Sequence, residues 1–250
     1  MTAVVRNSSI DLSADVGEVT GAEGRRLDAA IISMVTTAHI ACTGHAGDLD
    51  SMRAAVEACR ESETRIGAHP SYPDREGFGR RRLSLQPDEV ASAVVEQIAL
   101  LEEVAGSPVA SIKPHGQLYH DLETDDDLVE SILDALMGLE SKPLLVLGAG
   151  SRLSTRLANE KIRLAAEGFC DRRYEAGRLV SRNVEGALIE DPAAALAQGI
   201  ALVRDGLIVG DEVLTIDSLC IHSDTPGALN VLRHVSAGLA DVGISLRCVP

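Results

Sequence analysis

Tryptophan is absent, and only three Tyr and two Phe occur among 250 residues. Single-strand nucleic-acid binders stack bases on aromatic platforms, and this chain has almost none. Basic residues are also scarce: 23 Lys and Arg face 38 Asp and Glu, a formal net charge of −15. Neutralising a phosphate backbone takes clustered Lys and Arg. The one dense basic run, Arg80-Arg81-Arg82, is too short for a groove-binding surface. No run of about 18 apolar residues exists, so no transmembrane helix is expected. Residues 1–9 lack a charged region followed by an apolar one, so no signal peptide is expected. The cysteines (Cys42, Cys59, Cys170, Cys220, Cys248) are odd in number, widely spaced and without Cys-x-x-Cys. That pattern argues against a disulfide framework and a structural zinc, and suits a reducing cytoplasm.

What is present is core-forming material. Apolar residues reach 45% and charged residues 24%, an ordinary balance for a globular protein and too apolar for a disordered one. No linker or low-complexity stretch divides the chain, so residues 1–250 are read as a single domain. Strand-like runs cover 8–14, 35–42, 64–68, 109–113, 144–147, 163–167, 214–221 and 244–248. Helical spacing covers 51–62, 87–105, 125–138, 151–160, 191–204 and 225–242. In the second of these, Val90, Val94, Ile98 and Leu101 share one face, behind a Pro-Asp-Glu start. Such alternation predicts parallel strands with crossover helices. The expected fold is α/β, a (β/α) barrel of about seven strands, with an open doubly wound sheet as the alternative. Residues 169–189 are irregular and long for a connection, which suggests an excursion over the site.

Ionisable groups collect where the strands end. Asp11, Asp15 and Glu18 follow the first strand, and His45 and Asp48 the second. His69 follows the third, Lys113 and His115 the fourth, Arg173 the sixth, and His222 and Asp224 the seventh. In a parallel barrel these ends share one face, which holds the active site. Each residue also has a plainer reading. Asp11 and Asp15 suit a cap, His45 and Asp48 a helix start, and Asp125-Asp126-Asp127 the positive end of a helix. Lys113 is the least ordinary. An unpaired ammonium after a buried apolar strand is costly, so it needs a carboxylate across the barrel or an anionic substrate.

The segments Asp11-Leu12-Ser13-Ala14-Asp15-Val16-Gly17-Glu18, Ile40-Ala41-Cys42-Thr43-Gly44-His45-Ala46-Gly47-Asp48 and Ile66-Gly67-Ala68-His69-Pro70-Ser71-Tyr72 resemble the LamB/YcsF family. So do Gly77-Phe78-Gly79-Arg80-Arg81, Lys113-Pro114-His115-Gly116, Glu167-Gly168-Phe169-Cys170-Asp171-Arg172-Arg173-Tyr174 and His222-Ser223-Asp224-Thr225-Pro226. The matching segments run in order over nearly the whole chain. The chain departs from the family pattern at Ser13 and His39, where Asn is usual, at Thr43-Gly44, where Gly-Phe is usual, and at His120, where Asn is usual. It departs again at Ala176 and Ser181 before Arg182, where Asp and Pro are usual, and at Ser223, where Gly is usual.

The resemblance implies a barrel like those of glycoside hydrolases and deacetylases. It also implies ATP-dependent opening of 5-oxo-L-proline to L-glutamate, carried out with 5-oxoprolinase subunits B and C. The chain has no Gly-x-x-x-x-Gly-Lys-[Ser/Thr] loop, so ATP is expected to act through the complex. Hydrolysis needs a base for water and donors for the developing oxyanion. Asp15 or His45 is the expected base, with Lys113 and His69 or His115 as donors. Asp11, Glu18, Asp48, Arg173, His222 and Asp224 are expected to bind substrate. Arg173, or the helix start after Asp224, would take its carboxylate. An Asp with two His could instead hold a divalent metal that activates water. Two readings compete: a barrel that binds a small amide or sugar without turnover, and a metal-dependent carbohydrate hydrolase or deacetylase.

Overall fold

The computed structural model describes residues 8–157 and 162–250. Along the chain run β1 (Ser9–Val16), α1 (Gly21–Ile32), β2 (Thr37–Ala41), α2 (Leu49–Glu61), β3 (Arg65–His69), α3 (Pro87–Ala105) and β4 (Ser111–Ile112). Next come α4 (Gly116–Asp121), α5 (Asp126–Met137), β5 (Leu144–Gly148), α6 (Arg152–Leu157) and β6 (Leu164–Phe169). Two hairpins, β7 and β8 (Tyr174–Glu175, Arg178–Leu179) and β9 and β10 (Leu207–Val209, Glu212–Leu214), flank α7 (Pro192–Asp205). Then follow β11 (Ser218–His222), α8 (Ala228–Asp241) and β12 (Ser245–Leu246).

Strands β1 to β6 and β11 pair in parallel, and β11 returns to β1 to close a seven-stranded barrel. The open-sheet alternative is thereby set aside. β12 adds in parallel to the start of β1, with Ser9 opposite Ser245. Successive strand residues face opposite sides. On β1, Leu12, Ala14 and Val16 join the apolar layer under the helices. Asp11, Ser13 and Asp15 face inward, where they meet Ser218 and Lys113. Inside the barrel, Leu144, Val146 and Ala165 form a separate apolar plug, with Val249 packed against it.

The helices begin where side chains can satisfy free backbone N–H groups. Asp48 and Ser51 form a reciprocal box at α2, Gln86 and Glu89 another at α3, and Asp191 caps α7 before Pro192. On α3, Val90, Val94, Ile98 and Leu101 are all buried, each contributing roughly 1.5–3 kcal/mol over exposure. A charge at Ile98 would break that contact.

Several elements depart from expectation. Helix α1 carries no side-chain cap bond and has two glycines in its first turn, so periodicity alone gives no signal for it. Gly24 is required there, because a Cβ would fall 2.2 Å from the Val19 carbonyl oxygen. The expected strand 214–221 is shorter and later, because residues 207–214 fold into a hairpin turning at Gly210. In the expected strand 109–113, β4 itself is only Ser111 and Ile112, flanked by backbone bonds at Ala110 and Lys113. The helix expected over 151–160 is seen to Leu157, and its remainder lies outside the described residues. No helix among the described residues is long and apolar enough to cross a membrane.

Candidate active site

The seven parallel strands put their C-terminal ends on one rim. A cavity of about 70 Å³ opens there, lined among others by Asp15, Glu18, His69, Lys113, His115 and His222. The six come from four strands and the loops after them, which is the convergence expected from topology.

Lys113 is the centre of charge. Its Nζ donates to Asp15 Oδ1 at 2.9 Å and Oδ2 at 3.1 Å, and to Cys220 Sγ at 3.0 Å. Glu167 Oε1 also lies 2.9 Å away, but poorly aligned, so neither Glu167 oxygen has a hydrogen-bond partner among the described residues. Burial works against the Lys113 ammonium, yet Asp15, Cys220 and Glu167 outweigh it and hold its pKa well above the ordinary value. Burial likewise opposes the Asp15 carboxylate, but His69 and Lys113 hold its pKa well below the usual range. Glu167, buried with a single cation nearby, is pushed up by desolvation. Lys113 is therefore a fixed cation and Asp15 a fixed anion near neutral pH.

Beside this pair stand three imidazoles. His69 Nδ1 lies 2.7 Å from the Lys113 carbonyl, and His115 Nε2 lies 2.9 Å from the Phe78 carbonyl. The Phe78 carbonyl reaches that ring through a left-handed turn at Gly79, whose Cα would carry a Cβ only 2.8 Å from His45 Cβ. His45 sits behind His115, the rings stacked 3.7 Å apart, and makes contacts to Ser71 and Glu18. Burial pushes His45 and His115 down to about 4, so both rings are neutral. Burial pushes Glu18 up to about 7, helped by Asp15 and Asp224.

On β11, beside Asp15 of the neighbouring strand, His222 is held by a carboxylate. Its Nδ1 lies 3.0 Å from Asp171 Oδ1, and Asp171 also accepts from the His222 backbone N–H and from Thr225 Oγ1. This leaves His222 Nε2, beside the cavity, as the ring nitrogen without a hydrogen-bond partner among the described residues. The ring stacks on Phe169 with centroids 5.1 Å apart. Tyr119 also lines the cavity, and its buried hydroxyl has no partner among the described residues. At the mouth, Arg80 and Arg182 both donate to Asp224, joining the β3, β8 and β11 loops. The irregular stretch 169–189 thus does lie over the site, through Arg172, Leu179 and Arg182.

The structure does not bring every expected residue here. Asp11 points into the opposite end of the barrel, where Thr36, Thr37 and Ser218 hydroxyls donate to it. Asp48 is the exposed cap of α2. Arg173 faces outward and pairs with Glu175, while its neighbour Arg172 takes the inner position. His69 and His115 spend their N–H groups on backbone carbonyls, so as neutral rings they offer acceptors, not the expected donors. His45 does not line the cavity, and Asp15, tied to Lys113 through both oxygens and held well below the usual range, is a weak base, so neither expected base is placed for that role. Sequence reasoning missed Asp171, Glu167, Tyr119, Arg80 and Arg182 as site residues, although each lies inside or beside a segment that carried the family resemblance.

Comparison with known proteins agrees with this architecture. The A-type component of a 5-oxoprolinase from Chloroflexus aggregans is 41% identical over 247 residues, covering 96% of this chain and 98% of that protein. A lactam utilization protein from Thermus thermophilus superposes with a TM-score of 0.83 at 31% identity, covering 96% of this chain and 99% of that one. A family 4 acetyl xylan esterase from Clostridium thermocellum, at TM-score 0.54 and 16% identity over 96% of this chain and 87% of its own, shares the fold alone. Residues 10–250 match the LamB/YcsF family from end to end of the barrel, and the chain belongs to that family.

Proposed function

We propose that this chain is the ring-opening component of an ATP-dependent 5-oxoprolinase, acting with B and C partner subunits to convert 5-oxo-L-proline into L-glutamate. Its full-length relatives are named as the A-type component of 5-oxoprolinase, and its structural neighbour is described by lactam utilization. The small cavity suits a single lactam ring better than a polysaccharide chain.

The observation that carries the reading is the oriented pair Asp171 and His222, which lines the same cavity as the Lys113 cation. A carboxylate on Nδ1 fixes the tautomer that leaves Nε2 as an acceptor, and stabilises the imidazolium when a proton arrives. Water gives its proton to His222 Nε2 as its oxygen bonds to the lactam carbonyl carbon. The carbonyl oxygen gains negative charge, which Lys113 and the unpartnered Tyr119 hydroxyl are placed to meet. Of the Lys113 contacts, the thiol Cys220 is the weakest acceptor, so that N–H is the one a substrate oxygen captures. The C–N bond then breaks, and the ring nitrogen takes the proton back from His222. Arg80 and Arg182 now satisfy Asp224, and they replace Arg173 as the groups that receive the substrate carboxylate. Hydrolysis of ATP to ADP and phosphate, which drives the opening, falls to the partners.

The test is glutamate release by the purified chain mixed with its B and C partners. Release should need all three components and ATP. A complex lacking this chain that still forms glutamate at the full rate refutes the reading.

A further inference from the structure

Three ring nitrogens behind the cavity have their protonation settled by their neighbours. A carbonyl only accepts, so His69 carries its proton on Nδ1 toward Lys113, and His115 carries its proton on Nε2 toward Phe78. Ser71 Oγ donates to the Tyr72 carbonyl at 2.8 Å, so it accepts from His45 Nδ1 at 3.0 Å. The remaining nitrogens, His69 Nε2, His115 Nδ1 and His45 Nε2, are therefore bare lone pairs.

They face one another and a carboxylate. His69 Nε2 lies 2.9 Å from His115 Nδ1, and Glu18 Oε1 lies 3.2 Å from His45 Nε2 and 3.6 Å from His115 Nδ1. All four atoms fall within 4.8 Å of one another. Glu18, raised to about 7, can hold a proton toward His45 Nε2, but His69 Nε2 and His115 Nδ1 still face each other as two lone pairs 2.9 Å apart, which repel unless a positive species stands between them.

We propose that a divalent transition-metal ion, zinc or a zinc-like ion, binds here through His69 Nε2, His115 Nδ1 and Glu18. Ligands about 2.0–2.1 Å from zinc at tetrahedral angles lie about 3.3 Å apart, between the 2.9 Å of His69 to His115 and the 3.6 Å of His115 to Glu18. Ring planes decide among the imidazoles, because a ligated ion lies near the plane of each ring. His69 and His115 are perpendicular at 89°, so one point lies in both planes. His45 and His115 are parallel within 4° at 3.7 Å, so no single ion serves both. His45 is the acceptor beside the ion and not a ligand. Histidines that ligate metals usually donate their other N–H to a carbonyl or carboxylate, and here His69 and His115 both do. Three protein ligands with a side open to the cavity are the pattern of reactive sites, whereas structural zinc sites use four. Such binding goes beyond the proposed function, because it holds whatever substrate enters.

The test uses the full-length chain without substrate. Stripped with chelator and titrated with Co²⁺, it should develop visible d–d absorption that saturates at one equivalent. Zn²⁺ should displace the Co²⁺ and raise the melting temperature of the wild-type chain. His69→Ala and His115→Ala should each weaken Co²⁺ binding by about 100-fold or more, while His45→Ala should stay within about tenfold. The wild-type titration and melt keep the test decisive if the alanine variants do not fold. A folded wild-type chain with no stoichiometric Co²⁺ signal and no Zn²⁺ shift overturns the site, and means that a proton bridges His69 and His115. So does binding that survives the loss of both rings. Neither outcome touches the lactam reading, which is tested by glutamate release alone.

Discussion

Asp11 and Asp15 lie on the same inward face of β1, both buried, yet they do opposite work. At the lower end, Thr36, Thr37 and Ser218 give Asp11 three hydroxyl donors, and the site is complete. At the rim, Asp15 shares one lysine with Glu167, whose oxygens have no hydrogen-bond partner among the described residues, and faces the bare Nε2 of His69. Buried polar groups with met demand hold a fold together. Buried groups with unmet demand mark where something else must bind. By that criterion the lower cluster is structural and the upper one is the reaction site.

The sharpest way to break this contrast is to remove the shared cation. Lys113→Met leaves Asp15 and Glu167 buried without a counter-charge, which should cost about 3–5 kcal/mol by denaturant unfolding. Glutamate release by the folded fraction in the complex should fall by at least about 100-fold. Asp171→Asn keeps the side-chain shape but frees the His222 tautomer. Activity should fall by about 100-fold or more, against a stability loss of only about 1–2 kcal/mol.

A third buried carboxylate lies between the two extremes. Asp28 accepts one hydrogen bond, from the Gly17 N–H, and burial pushes it up to about 7. Its folded pKa lies above the unfolded one, so the folded state holds a proton that the unfolded chain releases. The resulting penalty is absent below about pH 4, grows between about pH 4 and 7, and keeps growing no further above that. Asp28→Asn keeps an acceptor for Gly17 and should gain stability over wild type as pH rises from about 5 to 8, by on the order of 2–4 kcal/mol. No gain at about pH 8 would mean that Asp28 is as well satisfied as Asp11.

The smallest effect belongs to the mouth. Arg182→Gln removes one of two guanidiniums meant for the substrate carboxylate. KM for 5-oxoproline should rise about tenfold while kcat stays near wild type, the sign of lost uniform binding. A fall in kcat alone would move Arg182 out of that role.

The barrel was largely legible in the sequence. Parallel strands with crossover helices leave an apolar run such as Leu144–Gly148 between polar strand ends, and both signals survive in one dimension. Helix α1 was not legible, because glycines and charges replace the usual cap and stripe. Within the site, Lys113, His69 and His222 stood out by position. Asp171 did not, because its role is to hold His222 from a strand that is distant in sequence. Asp11 was misread for a related reason: one face of a strand carries residues to both ends of a barrel, and only the partners tell which end is which. Arg173 was misplaced, since an irregular segment gives no alternation to show that it turns outward.

The most direct measurement compares two variants in the assembled complex, kcat/KM for ATP-dependent glutamate release with His222→Gln and with Asp11→Asn. The account predicts a loss of at least about 100-fold for the first and a value near wild type for the second, which should lose only about 1–2 kcal/mol of stability. Equal losses, or a His222→Gln complex that turns over normally, would contradict it.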